Sequence, residues 1–326
     1  MSILAYQFPN KEIKIFKGIW KKDVLNNLPE DHFFITDFTK ENMYYFKAEE
    51  EISSFSNEML SVKNDDEVFS VSGRHYLNGL QYFLDGFEES DIEKAIYSRI
   101  NVVDRGEEAV ENVFRRLAKA YHNQAFVYVV SDQQLGTWMG ATPEILLSGN
   151  KNLLHSMALA GTKAEKELEW TEKEEAEHQY VVDYIKNTIE NHRPSDLHVF
   201  ETETVKNGAV YHLRTNFEFS LSPENWNDLM NSLHPTPAVC GTPMEKAKEY
   251  ILQLEPHNRE FYTGMLGWRG EDNLEVYVNL RCMQVMKNSY ALYVGGGITK
   301  DSNIANEWEE TEAKSKTLLE IIFPSE

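Results

Sequence analysis

The chain has 326 residues, 41% of them hydrophobic and 12% aromatic, and a formal net charge of −21. That is ample apolar material for a large core, while so acidic a surface repels polyanions and excludes nucleic acid as a partner. An anionic small molecule would need local cations or a bound metal, and no apolar run approaches the roughly 20 residues that span a bilayer.

The first 90 residues carry little punctuation, although Phe33–Thr36 and Val68–Val71 read as short strands. Val110, Val113, Phe114, Leu117 and Tyr121 recur at helical spacing and predict a helix over 107–121. Strands follow at 125–130, 138–141 and 145–147. Thr171 with Glu174 has the form of a capping box and opens a helix to about Asn191. Thr242-Pro243-Met244-Glu245 repeats that signal with proline at the first helical position, predicting a helix to Leu254. Leu274–Val285 and Tyr290–Val294 read as hairpin arms, and a last helix spans about Asn303 to Ile322. Strands and helices interleave without a βαβ period, which predicts an α+β fold with largely antiparallel sheets. No Pro/Gly/Ser-rich linker divides the chain, so one domain over 1–326 is expected, with 1–90 as its N-terminal part.

Cys240 and Cys282 are too few for a disulfide framework, and the first residues lack the plan of a signal peptide, so a reducing cytoplasmic setting is expected.

Two carboxylate pairs, Glu174/Glu177 and Glu307/Glu310, lie at i, i+3 on predicted helices, each on one helix face. Such a pair either faces solvent or offers oxygen ligands to a hard cation such as Mg2+. Lys94 sits in a short amphipathic strand; a lysine on the buried side of a strand is a candidate base, because desolvation disfavours an ammonium. Glu144 follows Gly140-Ala141-Thr142-Pro143 and precedes an apolar run, so burial should raise its carboxyl pKa, as a general acid requires. Gly295-Gly296-Gly297 forms either a tight turn or a backbone concavity for a carboxylate. Arg281 could pair with such a group bidentately. His234, in a Pro-rich turn, either contacts substrate or bonds to the backbone.

Nine blocks occur in one order: EKAIYSR, GATPE, ALAGT, EHQYVVD, HPTPAVCGTP, NREFYTGMLGW, LRC, GGGIT and EWEETEAK. Together they resemble the chorismate-utilising family over about two-thirds of the chain, with GATPE in place of the commoner GASPE. The resemblance implies an α+β fold of two similar halves, each with a large, mostly antiparallel sheet flanked by helices, and an active site between them. It implies Lys94 as the base that deprotonates water and Glu144 as the acid that protonates the departing hydroxyl. Glu177 and Glu310 match direct Mg2+ ligands, while Glu174 and Glu307 match neighbours that reach the metal through water. Arg281, Gly295, Gly296 and Lys314 match the carboxylate-holding region, His234 a histidine lining the ring site, and Gly161 and Thr162 the pocket beside the nucleophile. Ala160 stands where aminodeoxychorismate-forming members carry a lysine nucleophile. With Lys94 and the HPTPAVCG stretch, it points to isochorismate formation for menaquinone or siderophore precursors. The implied chain is a monomer that binds chorismate, with no amidotransferase partner. The rival readings are a salicylate synthase, which goes on to eliminate pyruvate, and a non-catalytic chorismate-binding module.

Overall fold

The computed structural model describes residues 2–70, 72–88, 90–163, 165–207 and 210–324. The N-terminal third is far more regular than its sequence suggests. It contains β1 (Ser2–Gln7), β2 (Lys14–Asp23), β3 (His32–Thr36), β4 (Met43–Glu51), helix α1 (Gly73–Glu88) and β5 (Lys94–Asp104). Helix α2 (Val110–Ala120) precedes the meander β6 (Phe126–Asp132), β7 (Gly136–Thr142), β8 (Ile145–Asn150) and β9 (Leu153–Lys163). Helix α3 (Glu172–Asn191) leads to β10 (Ser195–Val199), β11 (Glu203–Asn207), β12 (Val210–Ser220) and α4 (Trp226–Leu233). The remainder comprises β13 (Gly241–Thr242), α5 (Met244–Leu254), β14 (Met265–Arg269), β15 (Asn273–Val278), β16 (Cys282–Val285), β17 (Ser289–Thr299) and α6 (Ile304–Ile322).

Every paired strand among the described residues is antiparallel, and the fold is α+β as expected. The ladder runs β12–β9–β8–β15–β14–β3 on one half and β1–β6–β7–β16–β17–β5–β13 on the other, with β4 and β2 joining them. Alternation along β6 shows how the halves are layered. Phe126, Tyr128 and Val130 face an aromatic-rich core shared with Phe33, Trp138 and Tyr277. Val127 and Val129 face the opposite way, onto α2 and α6. On the other half, α3 and α4 cover β8, β9 and β12 through Val181, Ile185, Trp226 and Met230. Helices α1 and α5 close over β5 through Tyr76, Phe83 and Ile251.

Some expectations need correction. Val68–Ser70 is not a strand: residues 65–67 form a 3-10 turn held by Asn64 and Glu67, and Phe69 is exposed. Val71 lies outside the described residues. The stretch Leu274–Val285 is two strands, because the chain breaks between Val278 and Cys282 and places Arg281 at φ 47°. Thr242 ends a strand instead of capping α5; Pro243 is the N-cap residue, and no side-chain cap bond forms. The glycine triplet is not a turn but the interior of β17, paired with Ile96–Ser98 of β5.

Candidate active site

A cavity of about 120 Å3 opens where β5 and β17 of one half meet β9 and β12 of the other, with α3 and α6 over it. It is several times the roughly 10–15 Å3 that one water needs. Lys94, Glu144, Ala160, Gly161, Thr162, Glu174, Glu177, Arg281, Gly295, Glu310 and Lys314 all line it.

Lys94 opens β5, 2% exposed, and is fixed between two strand partners, Thr299 and Thr242. Its Nζ lies 3.5 Å from Glu177 Oε2 on α3. Gly297 makes that pair possible. A Cβ there would stand 2.7 Å from Lys94 Cε and 3.1 Å from Glu177 Oε2. The atom that would have to move is the end of the lysine, so Gly297→Ala should spare the fold and displace the amine. We expect turnover to fall by about 10²-fold with an unfolding midpoint near wild type, checked by steady-state kinetics beside thermal denaturation.

Glu144 stands between β7 and β8, 2% exposed, its carbonyl accepting from Val278 N–H. Burial pushes its carboxyl up to about 8, against the opposing fields of Lys94 and Lys314. The sequence-based expectation of a raised carboxyl therefore matches the geometry.

The bottom of the site is acidic. Glu307 and Glu310 project from α6 onto β17, where a Cβ on Gly296 would lie 3.2 Å from Glu307 Oε2 and 3.7 Å from Glu310 Oε1. Glu307 is itself buried; desolvation, then repulsion from Glu310, raises its carboxyl, while Lys173 opposes both. Its Oε1 accepts from Lys173 Nζ, whereas Oε2 is buried without a partner. Glu174 closes the expected capping box, its Oε2 accepting from Thr171 N–H and Oγ–H. Lys314 pairs with Glu310 at 2.7 Å and donates to Gly295 O at 2.9 Å. Among the described residues no three acidic, His or Cys side chains already form a metal-ready set. The side-chain nitrogens of Lys94, Lys173 and Lys314 stand among these carboxylates instead. The donor set nevertheless fits Mg2+: all are carboxylate oxygens, from two facing helices, and Glu307 Oε2 lacks any other partner.

Three expected site residues, His234, Gly296 and Glu307, are not on the cavity wall. His234 does not line the cavity. It is buried behind the wall, where Nε2–H donates to Thr263 O at 2.7 Å, so it braces the loop carrying Tyr262 and Thr263. Gly296 is likewise absent from the wall. Ile96 and Ser98 turn their N–H groups to Cys240 O and Glu255 Oε1, away from β17. The hydrogen-bonded cross-strand pair is therefore Tyr97 with Gly296, and the backbone groups of Gly295 and Gly297 point to the other side.

The histidine that does line the cavity is His212. Its Nε2 lies 3.1 Å from Arg281 Nη2, which can only donate, so Nε2 accepts and Nδ1–H donates to Gly161 O at 2.7 Å. Burial, with Arg281 adding to it, holds this imidazole neutral by pushing its pKa down to about 3. Arg281 is thereby aimed by His212 from β12. Beneath the site, the buried pair Glu255–Arg259 ties β5 to the loop at Val239 through Ser98 N–H, Ile96 O and Val239 O. Removing one partner of such a pair costs about 3–5 kcal/mol.

The family described as chorismate binding enzyme matches residues 31–323. This chain belongs to it. Over 272 residues it is 33% identical to the vibriobactin-specific isochorismate synthase of Vibrio cholerae, covering 77% of this chain and 67% of that protein. Over 200 residues it is 35% identical to isochorismate synthase EntC of Escherichia coli, covering 57% and 51%. The chain thus spans about half to two thirds of the length of these curated relatives. Its structure is similar to that of a putative 2,3-dihydroxybenzoate-specific isochorismate synthase, DhbC, from Bacillus anthracis, with a TM-score of 0.82 and 25% identity over 98% of this chain and 96% of that one. Among the described residues no helix is long and apolar enough to cross a membrane.

Proposed function

We propose that this chorismate-binding enzyme converts chorismate to isochorismate. The observation that carries the reading is a buried lysine and a buried, protonated glutamic acid on the walls of one cavity, beside a cluster of carboxylates from two helices. Lys94 Nζ takes a proton from the water that attacks C2 of the ring. Glu144 gives its carboxyl proton to the C4 hydroxyl, which leaves as water. One water enters and one departs, and the proton gained at Lys94 balances the one lost at Glu144, so the reaction is an isomerisation. Base and acid sit on separate segments, Lys94 at the head of β5 and Glu144 between β7 and β8, as proton transfers at two ring carbons require. Ala160, small and on the wall, leaves space for a nucleophile no larger than water. Arg281 and Lys314 offer cations to the substrate's carboxylates.

Glu177 and Glu310 would hold Mg2+ directly, with Glu174 and Glu307 behind bridging water. When bound, the ion supplies Lewis acidity next to the ring carboxylate. Together with Arg281 and Lys314, a bound dication would supply the local positive charge that so acidic a chain needs for a dianionic substrate.

Purified protein given chorismate and Mg2+ should yield isochorismate without any ammonia source, and EDTA should abolish the product. Chromatography of the incubation decides the matter. Salicylate with pyruvate as the main products would replace this reading with the eliminating one, and binding without turnover would reduce the chain to a binding module.

A further inference from the structure

Of the three lysine nitrogens among the site's carboxylates, Lys173 is the one with no duty toward substrate. It lies in the first turn of α3, where the helix dipole favours anions and where Glu172, Glu174 and Glu175 are found. A cation at that position is out of keeping with its helix, so its reason lies elsewhere. Its Nζ reaches across to α6, 2.8 Å from Glu307 Oε1 and 3.6 Å from Glu177 Oε1. Among the described residues it is the ammonium that joins a carboxylate of α3 to one of α6. Glu177 and Glu307 are themselves buried, in a medium where like charges repel far more strongly than in water.

We infer that Lys173 is a built-in counter-ion that holds the carboxylates of α3 and α6 together in the metal-free enzyme and is displaced when the divalent cation binds. The inference rests on the metal-binding reading of these glutamates. An ammonium has only donors, so it cannot share in coordination, and a dication beside it repels it. Its side chain is 31% exposed, against 2% for Lys94, so a flexible stem can carry the charge out to water. Metal affinity is then set by a competition. The enzyme binds its cation more weakly than the acid cluster alone would, and in exchange the empty site does not fly apart.

The test is calorimetric titration of Mg2+ into wild type and Lys173→Met, with thermal unfolding of both in EDTA. We expect the variant to bind Mg2+ at least about tenfold more tightly and to unfold at lower temperature without metal. Equal or weaker Mg2+ binding by a folded variant overturns the inference. A second measurement needs no variant: acetylation of wild-type lysines with and without Mg2+, read by mass spectrometry. Lys173 should become several-fold more reactive in Mg2+ while Lys94 stays protected; unchanged labelling at Lys173 with Mg2+ bound also overturns it. If neither protein binds Mg2+ at all, the metal reading itself falls, a result distinct from equal binding by both.

Discussion

Lys94→Met is expected to lower kcat for isochorismate formation by about 10²–10⁴, the usual worth of general-base assistance. Methionine keeps an unbranched chain of similar bulk in a strand position that is almost wholly buried. The backbone of Lys94 is held by pairing with Thr299 and Thr242, neither of which depends on the side chain. Glu177 loses one nitrogen partner but keeps Lys173 at 3.6 Å, so it is not left as an unpaired buried charge. The lesion should therefore be chemical. The unfolding midpoint should stay near wild type while turnover collapses. A Lys94→Met enzyme that is folded and keeps kcat within about threefold of wild type would remove the amine from the mechanism.

Much of this site was legible because its chemistry lies in short, local patterns. The i, i+3 carboxylates of α3 and α6 follow from helix periodicity and the Thr171–Glu174 cap from its residue types, whereas the burial of Lys94 does not, because β5 is buried on both faces from Lys94 to Ile100. What stayed hidden depends on irregular pairing. In β12, His212 shares its parity with Arg214, Asn216 and Glu218 and so reads as solvent-facing. The register with β9 slips there: Leu213 faces Ala160 and Tyr211 faces Lys163, so Gly161 and Thr162 together oppose His212 alone. Gly161, at φ 70°, supplies the left-handed turn of such a bulge, which redirects the imidazole into the cavity. A bulge between two strands far apart in sequence leaves no mark in either one. The same holds for Arg281, whose segment looks like one continuous strand until Asn279 turns its backbone to Thr263 and Gly264 and Arg281 O accepts from Ala141 N–H. Among the N-terminal strands Phe33–Thr36 reads as a strand and is β3, but β1, β2 and β4 were missed for a different reason. β2 and the outer end of β4 carry so many Lys and Glu residues that their apolar faces are interrupted, and they form because partners on either side complete their hydrogen bonds.

Glu144→Gln should be as damaging to turnover as the loss of Lys94, about 10²–10⁴ in kcat, but its signature lies in the pH profile. An ordinary glutamate ionises near pH 4.3, whereas burial holds this one to about 8. The acid form is thus the dominant one at neutral pH. As pH rises through about 8 the proton is lost, so wild-type kcat/KM should fall above that value. The amide keeps the shape and neutrality of the protonated carboxyl but has no acid proton to give. Its residual rate should therefore lack the alkaline limb assigned to Glu144. Stability also falls with rising pH, over a range that begins lower. Because the folded carboxyl holds its proton more tightly than the unfolded one, the wild-type fold loses stability as pH climbs from the unfolded carboxyl's range to about 8. The amide does not titrate and has no such loss, so the variant should gain in unfolding midpoint over wild type as the buffer is taken from about pH 5 to about pH 8.5. A variant that is inactive but tracks the wild-type midpoint across that range would show that the buried carboxyl does not ionise there, and the general-acid role would lose its physical basis.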